Sequence, residues 1–218
     1  MLRSLTILLT TVLMSFPVLV SAQDQGPHAM LESAITRMTA RIDQERSKLE
    51  ADEQYARQVV NEELDGLIDF RRITQLVMGS HFGPSSREQK LRFLDVFRSS
   101  LVNTYASGLT MYKGQEVRVL PAAEGDINQG RARVRTELHT DGGRIIPVSF
   151  SLYQSKQGPW LVENVIVNGL NLGRTFRSQF EQSAEQYGGD LDQVIANWST
   201  EIDVEQVVEP ENASAASN

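Results

Sequence analysis

The chain contains no cysteine. That removes disulfide staples, and it removes a cysteine to which a lipid anchor could be attached after export. A chain of 218 residues needs no such staple, because its length is ample for a hydrophobic core. Positive charge is scarce: 21 Lys and Arg stand against 28 Asp and Glu, a formal net charge of −7. This balance disfavours nucleic acid, whose binders carry a basic footprint, and lasting electrostatic adhesion to an anionic bilayer. The three histidines, His28, His81 and His139, share no metal-ligand spacing. No Walker loop, dinucleotide fingerprint, H-E-x-x-H or G-x-S-x-G motif occurs. In Gly79-Ser80-His81-Phe82-Gly83 the serine stands one place early for a nucleophile elbow, and the stretch reads as a turn.

One long apolar run is present, and it lies at the start. Arg3 supplies a positive flank, Leu5 to Val20 is apolar apart from Thr, Ser and Pro17, and Val20-Ser21-Ala22 offers small residues for cleavage. Residues 1–22 therefore read as a secretory signal peptide. The run is too short for the roughly 20 residues of a spanning helix. The expected product is an exported, freely diffusing protein with no ready supply of ATP or NADH, which lowers the prior for nucleotide-driven chemistry.

Beyond the leader, residues 23–202 read as a single α+β domain. Leu31, Ile35, Met38, Ile42 and Leu49 fall at helical spacing. Asp52 and Asp69 sit where caps of two further helices belong. Ser86-Arg87-Glu88-Gln89 matches a capping box, and behind it runs a regular apolar stripe of Phe93, Phe97, Leu101, Tyr105, Leu109 and Tyr112. After Lys113-Gly114 the period changes from helical to alternating. Residues 131–139 and 146–153 alternate around a hairpin turn at Asp141-Gly142-Gly143, and residues 115–120 and 160–168 supply two more strands. Helices return with Leu172, Phe176, Phe180, Ala184 and Tyr187 on one stripe, then Asp190 capping a last short helix. The expected architecture is a curved, four-stranded antiparallel sheet covered on one face by helices. Residues 203–218 have the composition of a disordered acidic tail.

Two features stand out. Arg131, Arg133 and Arg135 share one strand face, with Arg118 a candidate neighbour. They are either a solvated sheet face or a docking patch for an acidic partner or a phosphate. As exposed charges, they are expected to contribute little to folding. The second feature is an excess of long apolar helical stripes over one modest sheet. It is either a filled core or a core left partly hollow for an apolar ligand, and the same residues line both.

The order of short motifs resembles the MlaC family of periplasmic phospholipid carriers, also called the toluene-tolerance Ttg2 family. The residues that carry the resemblance are Asp52-Glu53-Gln54-Tyr55, Val59-Val60-Asn61-Glu62-Glu63-Leu64, Asp69-Phe70, Met78-Gly79-Ser80-His81-Phe82, Tyr105-Ala106, Tyr112-Lys113-Gly114-Gln115, Trp160, Asn164-Val165 and Gly169-Leu170-Asn171-Leu172. His81-Phe82 stands where the family has an aromatic pair, and Asn164 where it has Asp. The resemblance implies a fold like nuclear transport factor two with added helices. It also implies a soluble shuttle of glycerophospholipid between an inner-membrane ABC transporter complex and an outer-membrane lipoprotein–porin complex. Such a carrier maintains outer-membrane lipid asymmetry, is expected to be a monomer, and has no cofactor beyond the phospholipid cargo. On this reading Phe93, Phe97, Leu101, Tyr105, Val148, Phe150, Val165, Val167, Leu170 and Leu172 face acyl chains, with Gly169 giving a tight passage, and Arg131, Arg133 and Arg135 dock partners.

Burial energetics agree with such a cargo. A methylene is worth about 0.8 kcal/mol, so two chains of ~15 methylenes represent about 24 kcal/mol that the bilayer already provides and a carrier must match. A leaflet is about 15 Å deep and a compact chain of this length has a radius of gyration near 16 Å, so a pocket of that depth fits. An enzyme on the same cone-shaped fold would need Asp, Glu or His on the inward sheet face, where Val134, Leu138, Val148, Phe150 and Leu152 are expected. A periplasmic adaptor or chaperone working through the arginine face is the other alternative.

Overall fold

The computed structural model describes residues 26–154, 156 and 158–200. The expected signal peptide and acidic tail lie outside these residues. Helix α1 (Pro27–Ala51) begins with a proline in its first turn, where the missing N–H costs nothing. Asp52 ends it and at once caps α2 (Glu53–Leu64), its side chain accepting from the Tyr55 N–H. Asp69 caps α3 (Phe70–Met78) through the Arg72 N–H. A single 3₁₀ turn leads to Ser86, whose reciprocal bonds with Gln89 at 3.0 and 3.1 Å start the long helix α4 (Arg87–Met111). Asn171 and Asp190 cap α5 (Leu172–Gln186) and α6 (Leu191–Ala196).

Between α4 and α5 lies an antiparallel sheet. Its strands are β1 (Glu116–Val119), β2 (Ile127–Asn128), β3 (Arg131–His139), β4 (Ile145–Gln154), β5 (Trp160–Val167) and β6 (Leu170–Asn171). They run in the order β1-β3-β4-β5-β6, with β2 paired to the start of β3. The sheet thus has six strands where alternation predicts four. The two additions have two residues each, too short to show a period. Register places Val134 opposite Phe150 and Leu138 opposite Ile146, on the inward face, and Arg133 opposite Ser151 on the outward face.

A β-bulge interrupts β4–β5: Leu152 pairs with Val162, but Ser151 pairs with Asn164. The extra residue, Glu163, keeps Trp160 and Val162 in phase with Val165 and Val167. The free edge of β5 is covered twice. Ile68 bridges Val162 at one end, and β6 pairs with Ile166 and Val167 at the other.

The helices meet the sheet at its ends: α1 packs on β1 and β3, while α3 and α5 pack on β5. Helix α4 packs chiefly on α1, α2, α3 and α6. The buried apolar residues accordingly fall into three clusters rather than the usual single one. One joins α3, α4, α5 and α6 around Phe93, Phe97 and Phe180; one joins α1, α2 and α4 around Val59 and Val60; one joins the start of α1 to the sheet around Val134 and Leu152.

Candidate functional site

The ten residues expected to face acyl chains divide into two groups. Phe93 and Phe97 have no exposed surface and lie in an aromatic cluster, with Phe93 against Phe180 at 4.8 Å and Phe97 against Phe176 at 5.4 Å between ring centroids. Leu101 and Leu172 are also buried, at the edge of the same cluster. Val148, Phe150, Val165, Val167 and Leu170 are only half-buried, although all five lie on the inward side of the sheet or just past it. Half-buried apolar side chains on a sheet face that helices cover mark incomplete packing between the layers.

Tyr105 sharpens the point. It sits one turn beyond Leu101 on α4 and exposes 42% of its surface. Its phenol is nevertheless pushed above its ordinary pKa by desolvation. The two observations conflict for a residue facing bulk water. They agree for a ring that surrounding protein desolvates at its hydroxyl while part of its face stays accessible. Side chains that touch two clusters at once border this zone: Leu64, Ile68 and Val165. Leu64 was legible as an apolar residue of the second helix, but Ile68, beside Leu67 in the turn before Asp69, has no periodicity to mark it.

Gly169 does not form a tight passage. A β-carbon there meets nothing within 4 Å, and its φ of +88° serves the turn after Asn168. The close approach is at Gly173, in the first turn of α5, where a β-carbon would stand 2.6 Å from Asn164 Oδ1.

The outward face of the sheet is polar, and its arginines are mostly paired. Arg131 donates to Glu163 at 2.7 Å, and Arg72 from α3 donates to the other oxygen of the same carboxylate at 2.5 Å. Arg135 pairs with Asp126 at 3.1 Å, and Arg118 with Glu116 at 2.7 Å. Arg133 has no ion pair among the described residues. Glu163 is buried, so Arg131 and Arg72 neutralise a charge that would otherwise be costly. Arg131, unlike Arg133, is therefore expected to contribute to folding.

The carboxylates near helix ends are also accounted for. Arg41 bridges Glu45, Glu62 and Glu63, which raises its already high pKa through the Glu62 hydrogen bond against a desolvation penalty. Asp65 pairs with Arg98. Asp69, besides capping α3, accepts from the Tyr153 hydroxyl; desolvation first, and this bond second, push Tyr153 up to about 12. Histidine 139 lies beside Glu137 on the outward face at 3.1 Å.

Among the described residues the inward face carries no Asp, Glu or His: β3 presents Ala132, Val134, Thr136 and Leu138, and β4 presents Ile146, Val148, Phe150 and Leu152. Thr136 turns its hydroxyl to the Val148 carbonyl. These features define an α+β protein whose candidate site is an apolar wall, with its ionisable groups held outside.

Residues 32–200 match the family described as MlaC protein. The chain is 30% identical over 195 residues to the toluene tolerance protein ttg2D of Pseudomonas putida, covering 89% of each protein. It is 27% identical over 168 residues to the intermembrane phospholipid transport system binding protein MlaC of Haemophilus influenzae, covering 76% of this chain and 78% of that one. Its fold matches the solved structure of a phospholipid-binding protein from Ralstonia solanacearum in complex with a phospholipid, with a TM-score of 0.69 and 26% identity over 78% of this chain and 92% of that chain. The chain belongs to the MlaC family.

Proposed function

We propose that this protein is a periplasmic phospholipid carrier rather than an enzyme. It is exported through a cleaved signal peptide over residues 1–22 and works as one domain over residues 23–202. It holds acyl chains between α4 and the sheet, against Leu101, Tyr105, Val148, Phe150, Val165, Val167 and Leu170. Phe93, Phe97 and Leu172 close the far end of that space. The carrier shuttles between an inner-membrane ABC transporter complex and an outer-membrane lipoprotein–porin complex, and so maintains lipid asymmetry. Arg133, the unpaired member of the arginine stripe, is the outward residue best placed to meet a partner.

One observation supports the reading above the others: the apolar side chains of the inward sheet face stay only half-buried, in a chain whose fold matches that of a phospholipid-binding protein solved with a phospholipid. An enzyme on this scaffold would need an ionisable group on that face. The test is to purify residues 23–218 from a bacterial host without detergent, extract with organic solvent and weigh the lipid against protein by mass spectrometry. The expected result is glycerophospholipid at about one molecule per protein. Protein that yields no lipid would overturn the carrier reading.

A further inference from the structure

A second pocket lies outside the apolar wall, between α3 and the start of α4, with a volume of about 320 Å³. Its floor is apolar, made by Phe82, Leu91 and Leu94. Its rim carries three cations: Arg71 on α3, and Arg87 and Lys90 one turn apart on α4. None of the three has an ion pair among the described residues; Lys90 instead stands 4.6 Å over the Phe82 ring. No acidic side chain lines the pocket. In a chain of net charge −7, three unpaired cations around one apolar floor is a concentration that composition does not provide. Thr74 also lines the pocket; it is only 2% exposed, and its hydroxyl has no hydrogen-bond partner. A buried hydroxyl left unpaired is destabilising, and an acceptor brought by a ligand would relieve it. Leu91 leaves 49% of its surface exposed at the pocket edge.

We propose that this pocket docks an acidic peptide segment of a partner protein, seating one leucine-sized side chain on Phe82 and Leu94 and its flanking carboxylates on the rim. A segment fits better than a single small anion. The cations sit on two helices, and one carboxylate cannot meet all three while an apolar group fills the floor. The surface is separate from the inward apolar wall, and the proposal does not depend on what that wall holds.

The test uses residues 23–218 and a fluorescein-labelled, end-capped peptide, Ser-Glu-Leu-Glu-Glu-Leu-Glu-Ser, read by anisotropy. We expect saturable binding that weakens with added salt. The double variant Arg87→Glu with Lys90→Glu should loosen it at least about tenfold. Arg87 is the first residue of α4, where an acid suits the helix dipole, so this change leaves the fold intact. Thr74→Val should loosen binding about three- to fivefold, and serine in place of both peptide leucines about tenfold or more. Lys113→Glu, at an exposed position beyond the far end of α4, should leave it unchanged. Equal binding of the serine peptide, or unchanged affinity in the Arg87 and Lys90 double variant, would overturn the proposal. So would a site that takes decanoate but not the peptide. Extractable lipid, measured on the same preparations, reports separately on the carrier reading.

Discussion

Gly173 donates its backbone N–H to Asn164 Oδ1 at 3.0 Å, and the same oxygen occupies the space that a β-carbon on Gly173 would need. One contact thus fixes where β5 ends relative to the first turn of α5. Gly173→Ala is expected to destabilise by about 1 kcal/mol, because the Asn164 side chain must swing aside and give up its bond to the residue 173 N–H. Asn164→Ala should cost about 1 kcal/mol through the lost bond. Asn164→Asp should be tolerated, since it keeps an acceptor and puts negative charge at a helix N-terminus. Urea unfolding of the three variants checks the order.

Leu170→Glu tests the wall. Leu170 is half-buried and pairs through β6 with Val167. A carboxylate there can reach the mouth of a hollow, so the expected variant is folded and stripped of lipid. Circular dichroism with lipid extraction reads both properties. If Leu170 is ordinary core, the fold fails instead, by several kcal/mol. A folded variant with a full lipid load would place the pocket elsewhere.

The arginine stripe separates into two kinds of residue. Arg133→Glu should leave the melting temperature within a degree or two, as exposed unpaired charges do, while slowing association with an acidic partner at low salt. Arg131→Glu should cost about 1–3 kcal/mol, because it replaces a hydrogen bond to the buried Glu163 with a like charge. Thermal melts of the two single variants would show whether they part in this way; equal melting temperatures would return Arg131 to the solvated face.

Tyr153 gives a pH signature. Its folded pKa is raised from 10.0 to about 12, so the neutral phenol is favoured in the folded state. The stability it contributes is fully present below pH 10 and is lost as pH rises through about 12. Tyr153→Phe should remove that dependence. In an ultraviolet titration, the difference between wild type and variant should show one phenol ionising near pH 12. A difference centred near pH 10 would mean that the Asp69 contact does not persist in solution.

Much of this fold was legible because local chemistry announces itself. Asp52, Asp69, Ser86 and Asp190 all cap the helices assigned to them, and the Asp141-Gly142-Gly143 turn joins the strands that alternation marks. What the sequence could not display was long-range geometry. The Glu163 bulge depends on which strand lies opposite, β2 and β6 are too short for periodicity, and the split of the apolar residues into three clusters depends on where α4 lies relative to the sheet. The arginine stripe was visible as a stripe, but its carboxylate partners Glu163 and Asp126 come from other elements. Thr74, an unremarkable residue on an amphipathic helix, became notable only once the structure left its hydroxyl without a partner.

The bulge at Glu163 also sets how this chain tolerates changes in length. Strand residues after it keep Val165 and Val167 inward only because one residue is surplus to the pairing. Removing the single codon for Glu163 would close the bulge and leave Val165 opposite Phe150 and Val167 opposite Val148, still inward, whereas removing Ile166 would put Val165 and Val167 on opposite faces. Point substitutions along β5 trade one side chain for another, but a one-residue deletion outside the bulge exchanges the faces of whatever lies beyond it. A library of single-residue deletions across positions 160–167 should therefore show removals at the bulge, Glu163 or Asn164, surviving better than removals of Leu161 or Ile166.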